Sequence, residues 1–269
     1  MKKTISIIIG LEETSHLEGC LKSIKENTPE SYEIIFIVRS SMDSPYKWIK
    51  KLTDENKDYH LIEGDGGEIS PRDFNRAIKE SFGEYIVLLS SDTIVTENWL
   101  SGMLEHVNRA PDIGIVGPMG NNVNGIQKVP DTDHLSVDSL DDYAGSFRKI
   151  NRYRRIASRR INGFCMLFRR SLIDKIGLFD ENLNSQDFMI DDFCLRYALD
   201  GYTNLIAGDA FVYMHSNKVN LSSKKRFSDK WSGIDIKSEL GEKVLALNAI
   251  EKADKLFQKN KIDDAFETL

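Results

Sequence analysis

Thiols are scarce in this sequence, and the three present, Cys20, Cys165 and Cys194, lie far apart in its 269 residues. An odd, scattered set with no pair at zinc-ligand spacing argues against a disulfide framework or a structural zinc site. It suits a reducing compartment, so a cytoplasmic location is expected. Long apolar runs are missing too. Met1-Lys2-Lys3 precedes only Ile5 to Ile9, too short for a signal-peptide core, and nothing later approaches the roughly 18 uninterrupted apolar residues of a membrane span. Excess positive charge is also absent. Lys and Arg number 36 against 42 Asp and Glu, a net charge of −6, so general nucleic-acid binding is not expected and any anion must be met by local positive charge or by a metal. What remains, 41% apolar and 29% charged, suits one α/β domain with a short appendage, or else two small domains.

The first ninety residues carry a regular pattern. Ile5 to Ile9 before Gly10 reads as a buried strand, Ile34 to Val38 as a second, Tyr59 to Ile62 as a third and Tyr85 to Leu89 as a fourth. Between them Leu17, Cys20, Leu21 and Ile24, then Trp48, Ile49 and Leu52, recur at helical spacing, and Pro71 opens a helix through Phe74, Ala77 and Ile78. Buried strands alternating with helices predict right-handed βαβ units and a parallel sheet. Ligands of such sheets bind at the carboxyl ends of the strands. That rule gathers Gly10–Glu13, Val38–Asp43, Gly64–Gly67 and Ser90–Asp92 around one crevice.

The second half is less regular. A strand is expected at Ile113–Val116, with loop chemistry from Gly117 to Asn122, and residues 130–146 read as an acidic, weakly patterned excursion. Phe147 to Arg160 holds seven basic residues, Arg148, Lys149, Arg152, Arg154, Arg155, Arg159 and Arg160. They form either a solvated helix face or a contact for an anionic acceptor or diphosphate. Strands are expected at Phe164–Phe168 and Thr203–Ala207, and helices at Ser171–Ile176 and Asp191–Leu199. The division expected is a domain over 1–235 and a helical extension over 236–269. The stretch from Ile250 to Ala265 resembles the first helix and turn of a tetratricopeptide-type repeat, a plain packing helix being the equal alternative.

Taken in order, several stretches resemble inverting family 2 glycosyltransferases of the GT-A fold. They are Thr4–Ile9 with Cys20–Ile24, then Asn75-Arg76-Ala77-Ile78, Phe82–Asp92 and Asn98-Trp99-Leu100. Gly163–Arg170, Ile176–Glu181, Asp192–Arg196, Gly201-Tyr202 and His215 follow. The resemblance runs from about residue 4 to about residue 232. It implies an α/β domain with a mostly parallel sheet flanked by helices, and hexosyltransferase-type chemistry. In such enzymes a divalent ion, Mg²⁺ or Mn²⁺, neutralises the diphosphate of the donor. A carboxylate then deprotonates the acceptor hydroxyl for in-line, inverting attack. The implied partners are a UDP- or dTDP-linked sugar and a glycan or protein acceptor, such as a bacterial cell-surface polysaccharide.

Site residues carry over position by position. The family's D-x-D stands here as Ser90-Ser91-Asp92, so Asp92 is the expected metal ligand, His215 the second, and Ser90 a ribose contact. Gly10 and Glu12, Arg39 and Asp43, Asn75, and Ser91 are the other donor-binding positions. Asn121, Asn122 and Gln127 resemble a further donor or acceptor contact. Val38 replaces the aspartate that hydrogen-bonds uracil, and Met189 and Ile190 stand where the family has Glu-Asp. Asp191 is therefore the first candidate for the base, re-aimed at a helix start, and Asp192 the second, both positions otherwise merely suiting a helix N-terminus. These losses support an alternative reading, a catalytically degenerate domain used for binding or scaffolding. A nucleotidyltransferase with a related sheet is disfavoured, because no Gly-rich loop with a following Arg and Lys accompanies the first strand.

Overall fold

The computed structural model of the protein describes residues 4–11, 14–39, 43–64, 68–132, 134–183, 186–216 and Lys230. Strands β1 (Ile5–Leu11), β2 (Tyr32–Arg39), β3 (Tyr59–Gly64) and β4 (Tyr85–Ser90) alternate with helices α1 (Leu17–Asn27), α2 (Asp43–Glu55) and α3 (Pro71–Glu80). The start of α3 is fixed locally. The Ser70 N–H and Oγ both donate to Asp73 Oδ2, at 2.9 and 2.8 Å, with proline in the first turn. Next come β5 (Thr93–Val95), α4 (Trp99–Val107), β6 (Ile113–Gly120), α5 (Leu140–Ile150), β7 (Arg155–Ala157) and β8 (Cys165–Arg169). The last are α6 (Ile173–Ile176), α7 (Gln186–Leu199) and β9 (Thr203–Met214).

The described strands form one sheet in the order β3-β2-β1-β4-β8-β6-β9-β5, with β7 also on β9. β1 to β4 are mutually parallel, and β6 and β9 run with them; β5, β7 and β8 run against. The sheet is therefore mostly parallel, as expected. The pleat sorts each apolar run between two layers. In β1, Ile5, Ile7, Ile9 and Leu11 face α1, α2 and α4, while Ile8 faces α3, α5 and α7. β2 and β4 divide the same way. Burying each large aliphatic side chain contributes about 1.5–3 kcal/mol, which is why continuous runs appear where both faces are covered.

Pairing register lines up the carboxyl ends. Gly10 lies opposite Ile37 on one side and Ser90 on the other, and Arg39 lies opposite Gly64. The carboxyl ends of these strands thus align at one edge, while residues 12–13, 40–42 and 65–67 of the expected crevice lie outside the described residues.

Several expectations need correction. β6 does not stop at Val116 but continues through Gly120. Gly117 reads as loop chemistry, yet a Cβ there would lie 2.4 Å from Ile161 Cγ2, so the glycine serves close packing in a strand. Part of the supposed excursion at 130–146 is α5, and the basic run leaves the helix at Ile150, passes through β7 and ends beyond it at Arg160. α7 begins at Gln186, so Asp191 and Asp192 sit in its second turn rather than at its start. The segment 236–269, with its repeat-like pattern, lies outside the described residues.

Two glycines should respond oppositely to alanine. At Gly83 a Cβ would lie 2.5 Å from Ser6 N and 2.6 Å from Ile5 C, both main-chain atoms, whereas at Gly145 in α5 nothing lies within 4 Å. Gly83→Ala should cost about 1–3 kcal/mol, and Gly145→Ala should add about 0.5–1 kcal/mol. Urea midpoints of the two variants measure both signs.

Candidate functional site

The turn after β4 delivers Asp92 to the crevice edge, and the very short β5 follows at once. Because Thr93 pairs with Met214, the His215 main-chain N–H donates to the Asp92 carbonyl at 3.0 Å. Two residues remote in sequence therefore become neighbours. The Asp92 carboxylate is fixed on both oxygens: Ser90 Oγ donates to Oδ1 and Ser216 Oγ to Oδ2, each at 2.6 Å. The His215 ring stacks on that of His16, with centroids 3.9 Å apart and planes within 9°, and meets Tyr213 edge-on at 5.2 Å. Burial first, and His16 next, lower the pKa of His215 below the usual histidine range, while Asp92 pulls it upward. The neutral ring that results is the form that ligates a metal.

These residues fit a hard divalent cation of modest protein coordination. Asp92 offers a half-buried carboxylate and His215 a neutral imidazole. No group of three or more His, Cys, Asp or Glu suited to a metal occurs among the described residues. A carboxylate and an imidazole would supply only part of a divalent ion's shell, leaving the rest to water and substrate phosphates.

The two candidate bases separate cleanly. Asp192 is fully buried and paired with Arg196 Nε at 2.9 Å and Lys230 Nζ at 2.7 Å. Lys230 also reaches Asp180 at 2.7 Å, and Arg196 donates to the carbonyls of Ile176 and Leu178 at 2.7 and 2.9 Å. A carboxylate with no exposed surface cannot meet an acceptor hydroxyl, so Asp192 is corrected from candidate base to structural anchor. Asp191 keeps 22% of its side-chain surface and pairs with Arg160, the last residue of the basic run. Its surroundings connect to the crevice. Ser90 N–H donates to Phe164 O at 2.8 Å, and Ile190 packs so closely on Gly163 that a Cβ there would lie 2.6 Å from Ile190 Cδ1.

Other expected contacts resolve into supports. Asn75 is buried, and its amide joins both main-chain groups of Phe179, at 3.0 Å each, and Glu181 at 2.9 Å. That leaves it no surface for a donor, a correction to its expected role. Ser91 is likewise buried at 7% exposure. Gly10 makes room for Phe74, whose Cζ would lie 3.1 Å from an added Cβ. Asn121 and Asn122 hold the Met214 carbonyl at 3.1 and 2.9 Å, and Gln127 accepts the Asn162 N–H at 2.7 Å. These side chains fix the strand that ends at Met214, or the segment before Gly163. Arg39 closes β2, half-buried, and Asp43 opens α2; Glu12 lies outside the described residues. His16, Ser216 and Lys230 were missed. Ser216 adjoins a candidate ligand, which is a usable signal, but nothing in the spacing of His16 or Lys230 announces their contacts.

Comparison with known proteins places this geometry. The sequence matches the profile described as "Glycosyl transferase family 2" over residues 7–177. It is 25% identical over 182 residues to the poly-beta-1,6-N-acetyl-D-glucosamine synthase of Staphylococcus aureus, covering 66% of this chain and 42% of that protein. It is 23% identical over 231 residues to an uncharacterized protein of Sinorhizobium fredii, covering 79% of this chain and 24% of that one. The chain thus spans less than half the length of these relatives. Among solved structures, the fold is similar to GalNAc-T7 with UDP, GalNAc and Mn²⁺, with a TM-score of 0.64 at 14% identity over 98% of this chain and 54% of that one. It is equally similar to the mannosyltransferase PcManGT of Pyrobaculum calidifontis in complex with GDP-Man and Mn²⁺, again 0.64 at 14%, over 100% and 74%. The sheet order is of the GT-A type, and the profile match spans well over half of the sequence: the chain belongs to glycosyl transferase family 2.

Proposed function

We propose that the protein is a metal-assisted, inverting hexosyltransferase, using a UDP- or dTDP-linked sugar and a glycan or protein acceptor of the bacterial cell-surface type. The observation that carries this reading is the meeting of Asp92, His215 and Ser216 at the carboxyl end of β4, in a chain of this family. The likeness to two Mn²⁺-containing, nucleotide-bearing structures supports it.

Mg²⁺ or Mn²⁺, when bound, supplies charge neutralisation for a diphosphate leaving group. Asp92 and His215 would hold it. Ser90 and Ser216 keep the carboxylate oriented before any ion arrives, and His16 sets the plane of the His215 ring. Such prior fixing limits the reorganisation needed on binding. Asp191 is the proposed general base. A carboxylate has lone-pair sites for several donors, so the ion pair with Arg160 does not exhaust it. Ile190, where the family's aspartate would stand, packs on Gly163 and has no proton acceptor.

One observation favours a second reading. Val38 is fully buried and Ile190 is 4% exposed, so neither the uracil contact nor the usual base has a side-chain substitute at its own position. The alternative is a degenerate domain that binds or scaffolds without turnover.

Calorimetric titration of nucleoside diphosphates with and without Mn²⁺ tests the donor site. Asp92→Ala and His215→Ala should each weaken Mn²⁺-dependent UDP or dTDP binding by about ten-fold or more, the loss expected for one charge-assisted contact. Full-strength metal-dependent binding in Asp92→Ala would sink the ligand assignment. Transfer assays test the base. Asp191→Asn should lower turnover by about 10²- to 10⁴-fold with the fold intact. Asp192→Asn should instead lose about 3–5 kcal/mol of stability by leaving buried cations under-compensated. A wild-type protein that binds nucleotide yet neither transfers nor hydrolyses any nucleotide-sugar would favour the degenerate reading.

A further inference from the structure

The turn joining α5 to β7 lies outside the crevice chemistry and has an unusual construction. Ile150 is 83% exposed and Tyr153 48% exposed, which makes them two of the four large hydrophobic side chains on the described surface. Lys149, Arg152, Arg154 and Arg155 around them are all exposed. No acidic residue occurs from Phe147 to Arg160, although the whole chain carries a net charge of −6. Positive charge and apolar surface are thus concentrated on one protrusion of an acidic protein.

The protrusion is rigidly built. Tyr153 adopts a left-handed backbone, φ 64°, a strain of about 1–3 kcal/mol for a non-glycine residue. Its N–H donates to Asp209 Oδ2 at 2.8 Å, and the other oxygen of Asp209 lies 2.8 Å from Nε2 of His106, which is only 1% exposed. Asp209 itself occupies an irregularity in β9, where the register with β6 jumps from Pro118↔Ala207 to Met119↔Phe211. Gly208 N–H donates to Arg154 O, and Arg154 N–H to Asn151 O, each at 2.8 Å. Arg152 and Arg109 lie 4.7 and 5.4 Å from the Tyr153 ring centre. A buried pair that the proposed reaction does not use therefore maintains a strained turn on which Lys149, Ile150, Arg152, Tyr153, Arg154 and Arg155 are exposed.

We propose that this turn, residues 149–155, is a docking knuckle for an anionic membrane surface. The chemistry matches that surface part by part. A lone aliphatic tip enters the acyl boundary, a tyrosine sits at headgroup level, and lysine and arginine meet lipid phosphates. Exposed side chains on successive residues of a turn suit a soft interface, which needs no groove. The acidic remainder of the chain orients the molecule with this face towards negative charge. The contact is reversible, since one short apolar tip and a few cations give only moderate attachment.

Flotation of the full chain with vesicles tests the proposal. Vesicles of phosphatidylcholine containing phosphatidylglycerol should carry the protein upward, those of phosphatidylcholine alone should not, and added salt should release it. Replacing Lys149, Arg152 and Arg155 together by glutamine should lower partitioning on the order of a hundred-fold. Ile150→Ser should lower it about ten-fold while leaving the salt dependence in place. Unchanged thermal midpoints in these surface variants keep the comparison clear of folding. No binding of the wild type to the anionic vesicles, equal binding to neutral ones, or undiminished binding by the triple variant would each overturn it. So would capture of poly-glutamate through the same three cations with vesicles ignored, which would identify an acidic polypeptide instead.

Discussion

The pairing of a three-residue strand, β5, with the end of β9 is the contact on which the crevice depends. It sets Met214 against Thr93 and thereby delivers the His215 N–H to the Asp92 carbonyl. So short a ladder has little stability of its own. Its reinforcement comes from side chains. Thr96 Oγ1 donates to Phe211 O at 2.6 Å, Thr93 Oγ1 to Ser90 O at 2.8 Å, and Asn121 bonds both main-chain groups of Met214. Each of those side chains is buried, so solvent does not compete for the bonds. Two carboxylate-fixing serines then act on a backbone that is already in place.

Much of the first half was legible because its strands are covered on both faces. Continuous apolar runs at Ile5, Ile34 and Tyr85 announce buried parallel strands, and Ser70, Pro71 and Asp73 mark the helix start that the structure shows. What stayed hidden depends on partners. β5 and β7 are three residues each and exist because β9 lies beside them. β9 passes through Gly208 and Asp209, residues that ordinarily end strands, and tertiary contacts override that preference. Asp192 was misplaced for a local reason. Asp191-Asp192 suits a helix N-terminus, but α7 starts at Gln186 and the four-residue spacing from Asp192 to Arg196 was the better signal.

Two apolar residues of the candidate site have the same physical setting. Val38 and Ile190 are both absorbed into the core. Polar residues then appear one step away, Arg39 at the end of β2 and Asp191 beside Ile190. Moving one position along a strand reverses the face on which a side chain emerges, and one position along a helix turns it by about 100°.

Lys230 extends the domain beyond its sheet. It neutralises two carboxylates, Asp180 and the fully buried Asp192, and so completes an anionic pocket that α7 alone leaves with Arg196 as a close partner. The family profile ends at residue 177 and the last described strand at Met214, yet Lys230 still pairs with carboxylates of the sheet domain. A fragment cut between Met214 and Lys230 would retain every described strand and lose the ammonium that meets both Asp180 and Asp192.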